Sequence, residues 1–327
     1  MKDTDFLFLT SLLRAREVRM LGQDKIDRML DSPGFPDAAK MLLDCGYPDM
    51  SDMNMTDIDS ILEKHRSDAF AELSGFGYAL DVLNLFRIKY DYHNVKVLVK
   101  SMGVHVNADH LLSASGRVDI KVLSDAHVLN QLGDLPPYVA AAIESATGIL
   151  SRTGNPQLSD IEIDKAYFSE LSSISSSLKE TFIKGYVRLL IDSANLRTIV
   201  RSARVGRGND FLLSALIEGG SVSIEQLFSS FSESAASPLK DEYLEHAVSL
   251  SYDAMKGGDQ TVFELACDNA ILRYVTNTLF IGFGPAPIMA YLAKLEWEIT
   301  VVRMILTGKY TGISSDVIRE RLRECHV

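Results

Sequence analysis

RIKYDYHNVK (87–96) and RLLIDSANLR (188–197) carry one polar pattern on two apolar backgrounds. Arg87, Asp91, Asn94 and Lys96 recur as Arg188, Asp192, Asn195 and Arg197, offset by 101 residues at all four positions. KLEWEITVVR (294–303), a further 106 residues on, is a looser copy with Lys294, Glu298 and Arg303, and Val301 where the others have Asn. Residues four before and three after an acid fall on the acid's side of a helix. Arg87, Asp91 and Asn94 therefore form a polar stripe on a helix otherwise built of Val82, Leu83, Leu85, Phe86, Ile88, Val95, Leu98 and Val99. Lys96, five residues from its acid, points away. Buried on such a face, a carboxylate is expected to accept backbone amides or its own i−4 base, and the Asn to bridge a turn. The competing reading makes the stripes an inner surface or interface shared by the three copies.

The flanks repeat as well. YHNVKVLVKS (92–101) lies over SANLRTIVRS (193–202), TDIDSILEK (56–64) over SDIEIDK (159–165), and LLSASGRVDIKVL (111–123) over LLSALIEGGSVSIEQL (212–227). Pro36, Pro137 and Pro238 are spaced by the same 101 residues. A supersecondary unit used three times is the mark of a pseudo-symmetric scaffold, since a catalytic centre needs no copies. The unit boundaries fall near 127 and 233, giving 1–127, 128–233 and 234–327.

Helical periodicity runs nearly throughout, so the expected class is all-α. An opening helix carries Leu7, Leu9, Leu12, Leu13, Val18, Met20 and Leu21 with Arg14, Arg16 and Arg19. Pro36 starts a second segment, which Gly46 and Pro48 end. Thr56 with Asp59, Ser159 with Glu162, and Ser223 with Gln226 read as capping boxes. The serine-rich LSSISSSL (171–178) keeps an apolar face and reads as helix. GVHV (103–106) is the one strand-like run. Loops are expected at 151–157, 206–209, 218–221, 232–238 and 256–260. The uncharged stretch 274–293 has the length of a membrane span. Gly282, Gly284, Pro285 and Pro287 at its centre instead predict two buried helices with a sharp turn between them.

Composition narrows the function. A net charge of −11, with 33 Lys and Arg against 44 Asp and Glu, leaves no cationic excess to neutralise phosphates, which argues against nucleic acid. Arg201, Arg204 and Arg207 are a local basic group and a candidate contact loop. Three scattered cysteines, Cys45, Cys267 and Cys325, form no paired motif and suit a reducing, cytoplasmic setting. The Gly-x-Gly pairs lack a third glycine and a preceding strand, Gly308-Lys309 lacks the upstream glycine of a phosphate loop, and His105 and His110 are wrongly spaced for a helical zinc site. The readings held open are a helical scaffold and, against it, a metal-dependent hydrolase assembled from Asp91, Asp192 and Glu298. No catalytic, metal or cofactor residue is assigned.

The stretch FGPAPIMAYLAKLEWEITVVRMILTGKYTGISSDVIRERL (283–322) resembles the C-terminal signature of a known family. That family is the C subunit of V-type and archaeal A-type ATPases and ATP synthases, the counterpart of the d subunit in vacuolar enzymes. The matching residues are Gly284, Pro287, Tyr291-Leu292, Lys294, Glu296 or Glu298, Arg303, Ile305, Gly308-Lys309, Gly312 and Ile318-Arg319. DSANLRTIVRSARVG (192–206) resembles the family's middle unit. LRAREVRML (13–21), with Tyr47 and its preceding helix, resembles the first. The resemblance implies a funnel of three helical bundles with no enzymatic site. It implies a peripheral protein on the cytoplasmic side of the membrane, a socket between the D and F proteins of the central stalk and the rotor ring of proteolipid subunits. Whether protons or sodium ions are carried is set by residues outside this chain.

Overall fold

The computed structural model describes residues 6–104, 106, 108–232, 237–277, 281–282 and 284–324. Among these residues every regular element is helical and there is no strand, as the periodicity requires. The chain divides into two compact units, one made of 1–83 with 242–327 and the other of 84–241.

The first unit opens with α1 (Leu7–Glu17), α2 (Gln23–Asp31), α3 (Phe35–Lys40) and α4 (Met55–Ser74), and Leu80–Leu83 begin α5 (Leu80–Val104). The second unit holds the rest of α5, then α6 (Ile120–Leu129), α7 (Pro137–Thr153), α8 (Pro156–Leu178), α9 (Thr181–Val205), α10 (Asn209–Ala215) and α11 (Ile224–Ser232). The chain then returns to the first unit as α12 (Glu245–Met255), α13 (Gln260–Thr276), α14 (Ala286–Tyr310) and α15 (Ser315–Arg321).

In the first unit α14 is the central helix and packs against α1, α3, α4, α13 and α15. Ile288, Met289, Leu292, Leu295, Val302, Ile305 and Leu306 are all buried, as suits a helix packed against five others, while Arg303 stays exposed and Lys294 and Glu298 are buried charges. Gly308 lets α15 close on it, since a methyl group there would fall 2.5 Å from Ile318 Cδ1. In the second unit α7 and α8 form a helical hairpin, and α8 packs on α9. α5 is joined to α8 by a row of polar contacts: Tyr92 Oη donates to Glu170 (2.8 Å), and Lys96 and Lys100 pair with Asp164 and Asp160, both at 2.6 Å.

Several local expectations change. α1 stops at Glu17, and Val18 is exposed in the turn that follows, while Leu21 is buried outside any helix. Ser223 and Gln226 do form a reciprocal capping box, both bonds at 3.3 Å. The other two boxes do not form, because an Asn lies a residue or more earlier in each case. Asn54 caps α4 by accepting the Asp57 amide, and Asn155 caps α8 by accepting that of Gln157. Thr56 and Ser159 are therefore inside their helices; Asp59 bonds Arg303, and the Ser159 hydroxyl donates to Ala146 O. The 151–157 loop shrinks to Gly154 and Asn155. Gly103 and Val104 of GVHV finish α5, and His105 lies outside the described residues. The apolar stretch 274–293 is shared between the end of α13 and the start of α14, with 278–280 and 283 outside the described residues. No described helix is long and apolar enough to cross a membrane.

Candidate functional site

Asp91, Asp192 and Glu298 are 0%, 1% and 1% exposed, each on a 25-residue helix. Each would be costly to bury alone. Each is compensated in the same way, by backbone N–H groups of a loop that leads into another helix.

Asp91 Oδ1 accepts the amides of Arg117 (2.7 Å) and Val118 (3.0 Å), and Oδ2 accepts Arg117 Nε at 2.6 Å. The next residue, Asp119, is the N-cap of α6. Arg117 continues to Glu170 Oε1 at 2.9 Å, so one guanidinium joins two buried carboxylates, and the Tyr92 hydroxyl completes the cluster. Arg87 donates to Gly116 O through Nε (3.1 Å) and through a second, shorter bond. Asn94 clamps Ser113 twice, Nδ2 to O and N to Oδ1, both at 2.8 Å. Burial pushes the Asp91 carboxyl up against the opposing pull of Arg117 and the two amides.

The second copy repeats this with fewer charges. Both oxygens of Asp192 accept the Ser221 amide, at 2.9 and 3.1 Å, two residues before the Ser223 cap. Asn195 clamps Ile217 through Nδ2 to O and N to Oδ1, again at 2.8 Å. Arg188 is exposed, and its charge opposes the upward shift that burial gives Asp192. Both loops approach their acid so closely that only glycine fits. A methyl group on Gly116 would fall 2.5 Å from Asp91 Oδ1, and one on Gly220 would overlap Asp192 Oδ1.

In the third copy the acid is held by the other end of the chain. Glu298 Oε2 accepts the Leu21 amide at 2.6 Å, and Gly22 is the N-cap of α2. Glu298 Oε1 accepts the Tyr47 hydroxyl at 2.8 Å and lies 3.9 Å from His65 Nε2. The His65 ring packs on Tyr47, with centroids 4.5 Å apart. Burial pushes Glu298 up, and the Leu21 amide, Tyr47 and Lys25 pull it back; burial and the nearby Glu298 charge push Tyr47 up as well. Lys294 sits 3.9 Å from Glu17 at the end of α1, and the exposed Arg303 pairs with Asp59 at 2.7 Å.

The two departures of this copy each have a physical reason. Ser113 and Ile217 lie outside helices, so their peptide groups need an Asn. Glu17, the residue four before Leu21, ends α1 and has helical bonding, and position 301 is a buried Val. Glu298 is one methylene longer than Asp, so its loop can stand farther off, and Met20 occupies the place of Gly116 and Gly220.

The three acids, read from the sequence as anchors, sit at the centre of these contacts. Their oxygens are engaged by amides, a guanidinium and a phenol, and no described group of three His, Cys, Asp or Glu has metal-ligand geometry. Arg117, Glu170 and Tyr92 were missed, and Tyr47 was singled out only for its family resemblance, with no link to Glu298; Gly116 before Arg117 hinted at the loop. Arg201, Arg204 and Arg207 are exposed at the end of α9 and beyond, with Arg207 bonding Gln157 (2.8 Å) and covering the Phe211 ring.

Residues 9–321 match the family described as ATP synthase (C/AC39) subunit. The chain is 23% identical to the C subunit of the V-type sodium ATPase of Enterococcus hirae, covering 97% of this chain and 98% of that protein. It is 23% identical to the C subunit of the A-type ATP synthase of Thermococcus kodakarensis, over 99% and 92% respectively. It is 19% identical to the C subunit of the V-type ATP synthase of Thermus thermophilus, over 97% and 98%.

Proposed function

The chain belongs to the ATP synthase (C/AC39) subunit family, and from that premise we propose that it is the rotor socket of a rotary ATPase, joining central stalk to membrane ring. It is a non-catalytic member of such a complex, in keeping with relatives named as the C subunit. Membership of this family removes the reading as an unrelated helical-repeat scaffold. In the proposed role it lies peripherally on the cytoplasmic side of the membrane. One end receives the D and F stalk proteins, the other rests on the proteolipid ring, and the ions carried are protons or sodium. Its three helical units, 1–127, 128–233 and 234–327, surround the socket as a funnel.

The observation that carries this reading is the threefold use of one anchoring device, a buried acid gripping the loop before the next helix. Torque transfer asks for stiffness and shape, and loops pinned by charge-assisted bonds inside packed cores supply both. A net charge of −11 favours docking against basic surfaces, with apolar contacts persisting at high salt. Arg201, Arg204 and Arg207 form the proposed exposed contact loop. The test mixes the purified chain with the D–F stalk complex and follows co-elution, with nucleotide hydrolysis assayed alongside. Co-elution without hydrolysis is expected. Failure to bind either stalk or ring, or hydrolysis by the isolated chain, refutes the assignment.

A further inference from the structure

α2 is gripped at both ends by α14. Before its first turn Glu298 takes the Leu21 amide, and beyond its last turn Lys309 Nζ donates to Leu30 O at 2.5 Å and to Ser32 O at 2.8 Å. The Ser315 hydroxyl, at the start of α15, also donates to Leu30 O at 2.5 Å. Arg319 of α15 lies 3.4 and 3.5 Å from Asp27 and Asp31. An acid at the N-terminal end and a base at the C-terminal end are the signs a helix dipole favours. Glu298 and Lys309 are about 16 Å apart along their helix, a little more than the roughly 13 Å length of α2. Between the two grips Ile26, Met29 and Leu30 bury the apolar face of α2.

α6 and α11 are each delivered by the loop their acid holds, and those loops follow the acid by 26–29 residues. The loop on Glu298 precedes it by 277 residues. A loop arriving from the opposite end of the chain gains nothing from a short connection to its acid. The second grip compensates for this. Positions matching Lys309 in the first two copies are Met102 and Ala203, which have no charge to offer.

We propose that α2 is the third counterpart of α6 and α11, that the start of the chain completes the C-terminal repeat, and that Glu298 and Lys309 form a latch holding the two chain ends together. The opening residues through Ser32 then pass from the 1–127 unit to the third repeat, which comprises them with 242–327 and is closed in place of a covalent connection. Residues 18–32 open as one segment when either grip is lost. The latch is independent of what the chain docks to, so a failed stalk-binding experiment leaves it standing.

Amide hydrogen exchange on the full-length chain tests this. E298Q and K309M are each expected to raise exchange in 18–31 at least tenfold and to leave 113–129 and 217–231 unchanged. D192N is expected to do the reverse, loosening 217–231 alone. If E298Q does not fold, K309M, whose ammonium is only partly buried, carries the same expectation. Unchanged exchange in 18–31 in K309M, or an increase spread equally over 217–231, overturns the latch.

Discussion

Replacing Asp91 by Ala removes the acceptor of three bonds at once: the amides of Arg117 and Val118 and the Arg117 Nε–H. Each stranded amide costs about 1–3 kcal/mol where water cannot reach it. The guanidinium keeps Glu170 at 2.9 Å, so the charge is left partly compensated. Breaking a buried ion pair from one side typically costs about 3–5 kcal/mol, and D91A is expected to lose about that much. For a unit of this size that lowers the melting temperature by roughly 6–20 °C. Thermal and urea unfolding followed by far-UV circular dichroism measure it. D91N should lose less than D91A, because the amide oxygen still accepts from the loop. A loss below about 1 kcal/mol for D91A would match an exposed pair and refute the reading of Asp91 as a buried anchor.

Asp192→Ala should cost less than D91A, about 1–3 kcal/mol, because its hydrogen-bond donors come from Ser221, amide and side chain, and it binds no guanidinium; an equal or larger loss in urea titrations contradicts this. Gly308→Ala should destabilise by about 1–3 kcal/mol by forcing α15 off α14, and Ile318→Ala in the same chain should recover part of the loss; absence of any recovery places the strain elsewhere. Glu298 has its folded-state pKa raised by burial, so the folded chain holds its proton more tightly than the unfolded chain does. Its contribution to stability is therefore fully present below the unfolded value of about 4.3 and is lost as pH rises through the folded value. Urea midpoints measured against pH should show that slope in the wild type and a flatter one in E298Q; the same slope in both removes Glu298 as its source. Lys100→Ala, which breaks a partly exposed pair with Asp160, should cost under about 1 kcal/mol, and a larger value would mean the α5–α8 row carries more than surface pairing.

The helices and their buried faces were legible because helix geometry is local: residues three and four apart share a side whatever lies beyond them. The 101-residue recurrence therefore places Asp91 and Asn94, and Asp192 and Asn195, on equivalent inward faces without any tertiary contact. Local reasoning failed first at the caps, where Thr56 and Ser159 fitted the spacing but Asn54 and Asn155 took the helix ends. Spacing defines which residues can cap, and the entry path of the chain selects one. It failed again where a partner is remote. Nothing around Arg117 announces Glu170, 53 residues on, and nothing around Glu298 announces Leu21, 277 residues back. Such pairs are chosen by whichever packing satisfies every buried polar group together, and only the folded chain solves that condition. The sequence determined three acid-bearing helices with Val301 in place of a third Asn. That the chain's own start supplies the loop held by Glu298, with the end of α1 standing where an Asn would otherwise be needed, was decided by the tertiary structure, because a buried carboxylate takes its donors from whatever backbone the fold brings to it.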